Sequence, residues 1–133
     1  MSRETYHFVI EENSRNQIDF YAVKCGDDYH VSLCGGTRYH GGAVALGCDE
    51  SYLEGHEERG ATVSVLCAFG HRDDEAARWA AKYLATNLKC NVCVSAGIHV
   101  EAADKEDIRN LLKNCREACE RFLSECLKGQ ANE

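Results

Sequence analysis

Apolar and polar positions along the 133-residue chain alternate in stretches whose periods separate strands from helices. Tyr6 to Ile10 and Ile18 to Val23 are rich in aromatic and β-branched residues, with turn formers at Glu12 to Asn16 between them. That pattern predicts a first hairpin. Gly26-Asp27-Asp28 turns the chain into a third strand over about Tyr29 to Cys34, and a fourth covers about Ala43 to Leu46. Residues 48–60 are acidic and glycine-punctuated and read as a mobile connection, in which His56 is solvated. Thr62 to Phe69 is a nearly continuous apolar run, which predicts a strand covered on both faces and central in the sheet.

The period then lengthens. From Arg72 to Leu88, Ala76, Ala80, Leu84 and Leu88 recur at i,i+4, and Asp73, Asp74 and Glu75 in the first turn complement a helix dipole. Val92 to Ile98 is a sixth strand, apolar on both faces. Asp104 and Asp107 form a capping-box-like pattern at the start of a long last helix. Its stripe is Ile108, Leu111, Leu112, Cys115, Cys119, Phe122, Leu123, Cys126 and Leu127. Reaching to about Lys128, that helix would be about 35 Å long. Four strands followed by strand, helix, strand, helix give an α+β fold: a six-stranded, mostly antiparallel sheet packed with two helices in one domain over residues 1–133. The last two strands would be parallel if adjacent.

Composition narrows the function. Hydrophobic residues at 44% and charged residues at 28% fit a folded domain. No apolar run reaches the length of a membrane span, and no secretion signal precedes Tyr6, so the expected home is the cytoplasm, with no membrane partner. A net charge of −7 and the absence of a basic stripe argue against nucleic acid. Nine cysteines are an odd number without a paired zinc spacing, and three of them fall on the stripe of the last helix. There they act as small hydrophobes in a reducing compartment.

Between strands three and four lies Gly35-Gly36-Thr37-Arg38-Tyr39-His40-Gly41-Gly42, two glycine pairs bracketing a cation and an imidazole. Such a loop suits an anionic ligand. If strand three runs up, this loop lies at the top. Strand five then returns to the top with His71, and strand six delivers His99 there as well. His7, inside strand one, and His30, at the bottom of strand three, do not share this edge. Three imidazoles at one edge leave two chemistries open. His40, His71 and His99 could ligate a divalent metal, with Glu75 or Asp74 as base or fourth ligand. Alternatively, the first-helix N-terminus with Arg38, Arg72 and Arg78 could hold a phosphate-bearing cofactor.

The residues Gly35-Gly36 through His40-Gly41-Gly42-Ala43-Val44-Ala45-Leu46, Gly70-His71-Arg72-Asp73-Asp74-Glu75-Ala76-Ala77-Arg78 and Ser95-Ala96-Gly97-Ile98-His99-Val100, followed by Asp104, resemble the prenylated-flavin chaperone family. This family comprises the small accessory subunits encoded with gallate-type decarboxylases, and the likeness runs in order from about Tyr6 to Cys126. It implies a non-catalytic carrier that binds prenylated FMN, or FMN, and assists its delivery to or maturation in a UbiD-type aromatic-acid decarboxylase. It also implies a fold like that of the proteasome assembly chaperones. Carried over residue by residue, it implies a cofactor site at His40, His71, Arg72, Glu75, Arg78 and His99, to which the glycine loop adds Gly36, Arg38, Gly41 and Gly42. A three-histidine metal enzyme and a purely structural assembly partner are the alternatives. Strands that are apolar on both faces, with only two helices to cover them, further predict a symmetric homodimer through the sheet or the last helix, with residues of both subunits near each site.

Overall fold

The computed structural model describes residues 3–68 and 73–131. Its order is β1 (Thr5–Ile10), β2 (Ile18–Cys25), β3 (Asp28–Gly36), β4 (Arg38–Cys48), β5 (Thr62–Cys67), α1 (Asp74–Leu88), β6 (Val92–His99) and α2 (Lys105–Ala131). The α+β class, six strands and two helices are those expected. In space the strands run β1-β2-β3-β6-β4-β5, and every neighbouring pair is antiparallel except β3 and β6. The parallel pair is therefore β3 with β6, not β5 with β6. After β5 the chain crosses through α1 and inserts β6 between β3 and β4, which are consecutive in sequence.

That insertion moves β5 to the sheet edge, a correction to the central place its apolar run suggested. Leu66 is 79% exposed. β6 takes the central position instead, yet only one of its faces is covered. Register shows why, because directly opposed residues share a face. The row Tyr6, Ala22, Val31, Val94, Ala45 and Val65 lies under the helices. The neighbouring row His7, Tyr21, Ser32, Ser95, Val44 and Leu66 lies on the opposite face, which no element covers. The molecule is thus two layers, with both helices on one side.

Each helix suits the half of the sheet it covers. α1 buries Ala76, Ala77, Ala80, Ala81, Leu84 and Ala85, small side chains that let its backbone approach β4. A Cβ at Gly47 would overlap the Ala81 carbonyl oxygen. α2 carries Phe122 into a nest of rings, with centroids 4.9 Å from Tyr6, 5.1 Å from Phe20 and 5.2 Å from Tyr29. Its start bears out the expected cap. The Asp107 amide donates to Asp104 Oδ1 at 2.8 Å, and the Asp104 amide donates to Asp107 Oδ2 at 3.1 Å. The bond from the Asp104 amide, with the Arg15 guanidinium at 3.1 Å, holds the Asp107 carboxyl below its ordinary range. Two members of the expected stripe, Ile108 and Leu127, are half exposed. They stand in the first and last turns but one of α2, toward its two ends.

All nine cysteines are free. Burial pushes the Cys115 thiol up to about 12 and Cys119 well above its usual value, so both are inert hydrophobes in the helix interface. Residues 50–59 make three successive turns, and His56 Nδ1 lies 3.6 Å from Glu50 rather than being simply solvated. No helix among the described residues is long and apolar enough to cross a membrane.

Candidate functional site

The glycine stretch is mostly strand, not loop. β3 extends to Gly36 and β4 begins at Arg38, so the chain reverses over Thr37 alone. The Thr37 amide donates to the His99 carbonyl at 2.8 Å, which ties this turn across the end of β6. Gly36 has φ +78, and a Cβ there would run into the same carbonyl. Arg38 then pairs with His99 and Tyr39 with Ile98, but pairing resumes only at Ala43 with Ala96. Three residues, His40, Gly41 and Gly42, bulge against the single Gly97. A bulge of this kind re-aims a side chain. The absent side chain at Gly97 makes room for it, since a Cβ there would fall on the His40 carbonyl oxygen.

The bulge turns His40 toward the start of α1. Its Nε2 donates to the Ile98 carbonyl at 3.4 Å and lies 3.6 Å from Asp73 Oδ2. Asp73 is 8% exposed, and its other carboxylate oxygen accepts the Ile98 amide at 3.0 Å. One buried carboxylate therefore fastens the end of β6, the start of α1 and the bulged histidine to one another. A Cβ at Gly42 would strike that carboxylate, which accounts for the glycine there. His99, exposed at the end of β6, has its ring centre 6.4 Å from that of His40 and its Nε2 3.0 Å from Glu101 Oε2.

Of the positions anticipated from sequence, the structure brings Gly36, Arg38, His40, Gly41, Gly42 and His99 to one edge. His71 and Arg72 lie outside the described residues, although Ala68 and Asp73, the described residues on either side, both lie against Gly42. Glu75 and Arg78 stand elsewhere, lining a groove on the outer side of α1 with Trp79 and Lys82. Gly36 and Gly42 owe their glycine to contacts within the chain. Gly41 alone of the three opens onto space, where a Cβ would meet nothing within 4 Å.

Among the described residues no group of three or more His, Cys, Asp or Glu side chains is placed to hold a metal. The imidazole of His40 is turned inward to a carbonyl and a carboxylate, and that of His99 outward to Glu101, so the two do not converge on one point. The start of α1 also differs from a simple anion site. Asp73, Asp74 and Glu75 already supply negative charge to its dipole, so Arg38 and the imidazoles are the groups suited to a phosphate.

Asp73 is the residue that sequence reasoning undervalued, having assigned it to the helix dipole. Its place directly before the helix was visible, but its bond to Ile98, 25 residues away, was not. A second cluster was also missed. His7 stacks on Tyr21 at 3.8 Å, and its Nε2 lies 2.7 Å from Asp19, whose other oxygen accepts the Tyr39 hydroxyl at 3.3 Å.

A chain from the crystal structure of a novel chaperone complex for yeast 20S proteasome assembly is similar in fold, with a TM-score of 0.60, 11% identity, and coverage of 93% of this chain and 99% of that one. At that identity the likeness concerns fold alone, and it agrees with the expected proteasome-assembly-chaperone architecture. No curated protein sequence matches the chain. The model of a family of chaperones, described as the prenylated flavin chaperone LpdD-like domain, matches residues 12–127, and the chain belongs to that family.

Proposed function

We propose that this protein binds prenylated FMN at the edge formed by Arg38, His40, Gly41 and His99, and assists its delivery to or maturation in a UbiD-type aromatic-acid decarboxylase. Membership of a chaperone family, not a catalytic one, supports a carrier. The observation that carries the site is that the bulged His40 and the strand-end His99 stand at one edge, with ring centres 6.4 Å apart, beside the open backbone at Gly41. A flavin mononucleotide has a phosphate at one end and a flat ring at the other. The Arg38 guanidinium and the His99 imidazole both reach solvent at this edge. Gly41 lets a ligand approach the backbone closely. Nine cysteines, an odd number and all free, fit a reducing cytoplasm.

The pair His40→Ala and His99→Ala, co-expressed with the flavin prenyltransferase, tests the site. Flavin retained per folded chain is expected to fall at least about tenfold, equal to about 1.4 kcal/mol of binding. Unchanged retention would remove both histidines from the site.

The uncovered sheet face fits a second copy of the chain. Tyr21, Val23, Val44, Leu46 and Leu66 are exposed there, apolar surface of the kind that marks an interface. A two-fold pairing of these faces would bury the row that runs across all six strands. Sedimentation at micromolar concentration should give a dimer that Leu66→Asp converts to monomer. A wild-type chain that stays monomeric with and without flavin defeats this arrangement.

A further inference from the structure

The outer face of the helical layer carries a chemistry that neither the flavin edge nor the sheet face uses. Trp79 and Tyr83, one turn apart on α1, stack with centroids 4.8 Å apart and planes 10° from parallel. The Arg116 guanidinium of α2 lies 5.5 Å from the Trp79 ring centre. On one flank the two rings border a groove of ≈ 480 Å³ with Arg78 and Lys82, which continues to Arg59. On the other flank a narrow cleft beside Trp79 and Arg116 opens into a groove of ≈ 660 Å³ that adds Arg109 and Lys113.

Six cations therefore frame one stacked aromatic pair. Elsewhere Arg3, Arg15 and Arg121 are each matched to a carboxylate. Among the described residues, none of the six has a carboxylate within 4 Å. Glu75, Glu117 and Glu120 line the same grooves, which leaves cations in excess on this face of a chain whose net charge is −7. An excess of one sign of charge on one face directs association with an oppositely charged surface. Trp79 and Tyr83 are half-buried against the core and border these grooves with their remaining surface, and Trp, Tyr and Arg are the residues that most often anchor such contacts.

We infer that this face of α1 and α2 is where the decarboxylase docks, through an acidic patch that surrounds an apolar anchor seated on Trp79 and Tyr83. The inference rests on the proposed decarboxylase partnership. A second copy fits poorly, because two-fold pairing would set these cations against their equivalents. A nucleic acid would meet the acidic remainder of the chain.

The test is the double variant Lys82→Glu/Arg116→Glu, at two exposed helix positions away from the flavin edge. Binding to the purified decarboxylase is followed by titration calorimetry at low and moderate salt, alongside flavin retention and thermal melting of each chain. The wild type should bind more weakly as salt rises. The variant should lose at least about tenfold in affinity while its flavin retention and melting stay as in the wild type. Wild-type binding that the variant leaves unchanged overturns the docking face while the partnership stands. A wild type that fails to bind the decarboxylase overturns the partnership and the docking face with it. Self-association lost only in the variant would give the face to a second copy, and duplex DNA binding lost only in the variant would give it to nucleic acid. Either result overturns the inference.

Discussion

Gly97→Ala is expected to destabilise the protein by about 3 kcal/mol or more, at the upper end of overpacking penalties. The new methyl would occupy the position of the His40 carbonyl oxygen, with the carbonyl carbon and amide nitrogen of the same residue close behind. These are backbone atoms, so no rotamer change relieves the overlap. The bulge must move, and β6, which lies between β3 and β4, must move with it. Gly41→Ala supplies the control, since a side chain there meets nothing within 4 Å. Urea denaturation of the two variants should show a large loss for position 97 and a small one for position 41. Equal effects would mean that Gly97 does not make room for the bulge.

Phe122→Ala should lose about 3–5 kcal/mol, the usual range for removing a fully buried phenylalanine. Phe122 is 0% exposed and reaches rings from β1, β2 and β3, so the cavity would open where α2 is joined to half of the sheet. The rings around it are held by strand pairing and cannot collapse inward. Leu127, half exposed on the same helix, is the comparison. Its replacement by alanine should change the denaturation midpoint little. A Phe122 variant as stable as the Leu127 variant would contradict the packing of α2 on the sheet.

What could be read from the sequence follows the range of the forces involved. The α2 cap was legible because Asp104 and Asp107 complete each other's hydrogen bonds within four residues. The shared edge of His40 and His99 was legible for a different reason. It depends on the direction of each strand, and directions survive a change in strand order. The place of β5 was not legible, because its apolar residues describe its own two faces and not its neighbours. Once β6 enters beside β3, β5 is left at the edge with Leu66 exposed. The glycine stretch was misread in the same way. Whether Gly41-Gly42 forms a turn or a bulge depends on the partner strand, here on Gly97 opposite. Arg78 was assigned to the cofactor by its position in a motif, whereas helical rotation places it beside Trp79 and Lys82.

The central claim is that the chain carries a prenylated flavin at its histidine edge. The measurement that tests it most directly is an absorbance spectrum, with the mass of the released small molecule, taken on protein purified from a host that makes prenylated FMN. A flavin-like absorbance, with a released mass equal to FMN plus the prenyl group and near one equivalent per chain, is the predicted result. Colourless protein that releases no flavin mass, while remaining folded, would contradict it.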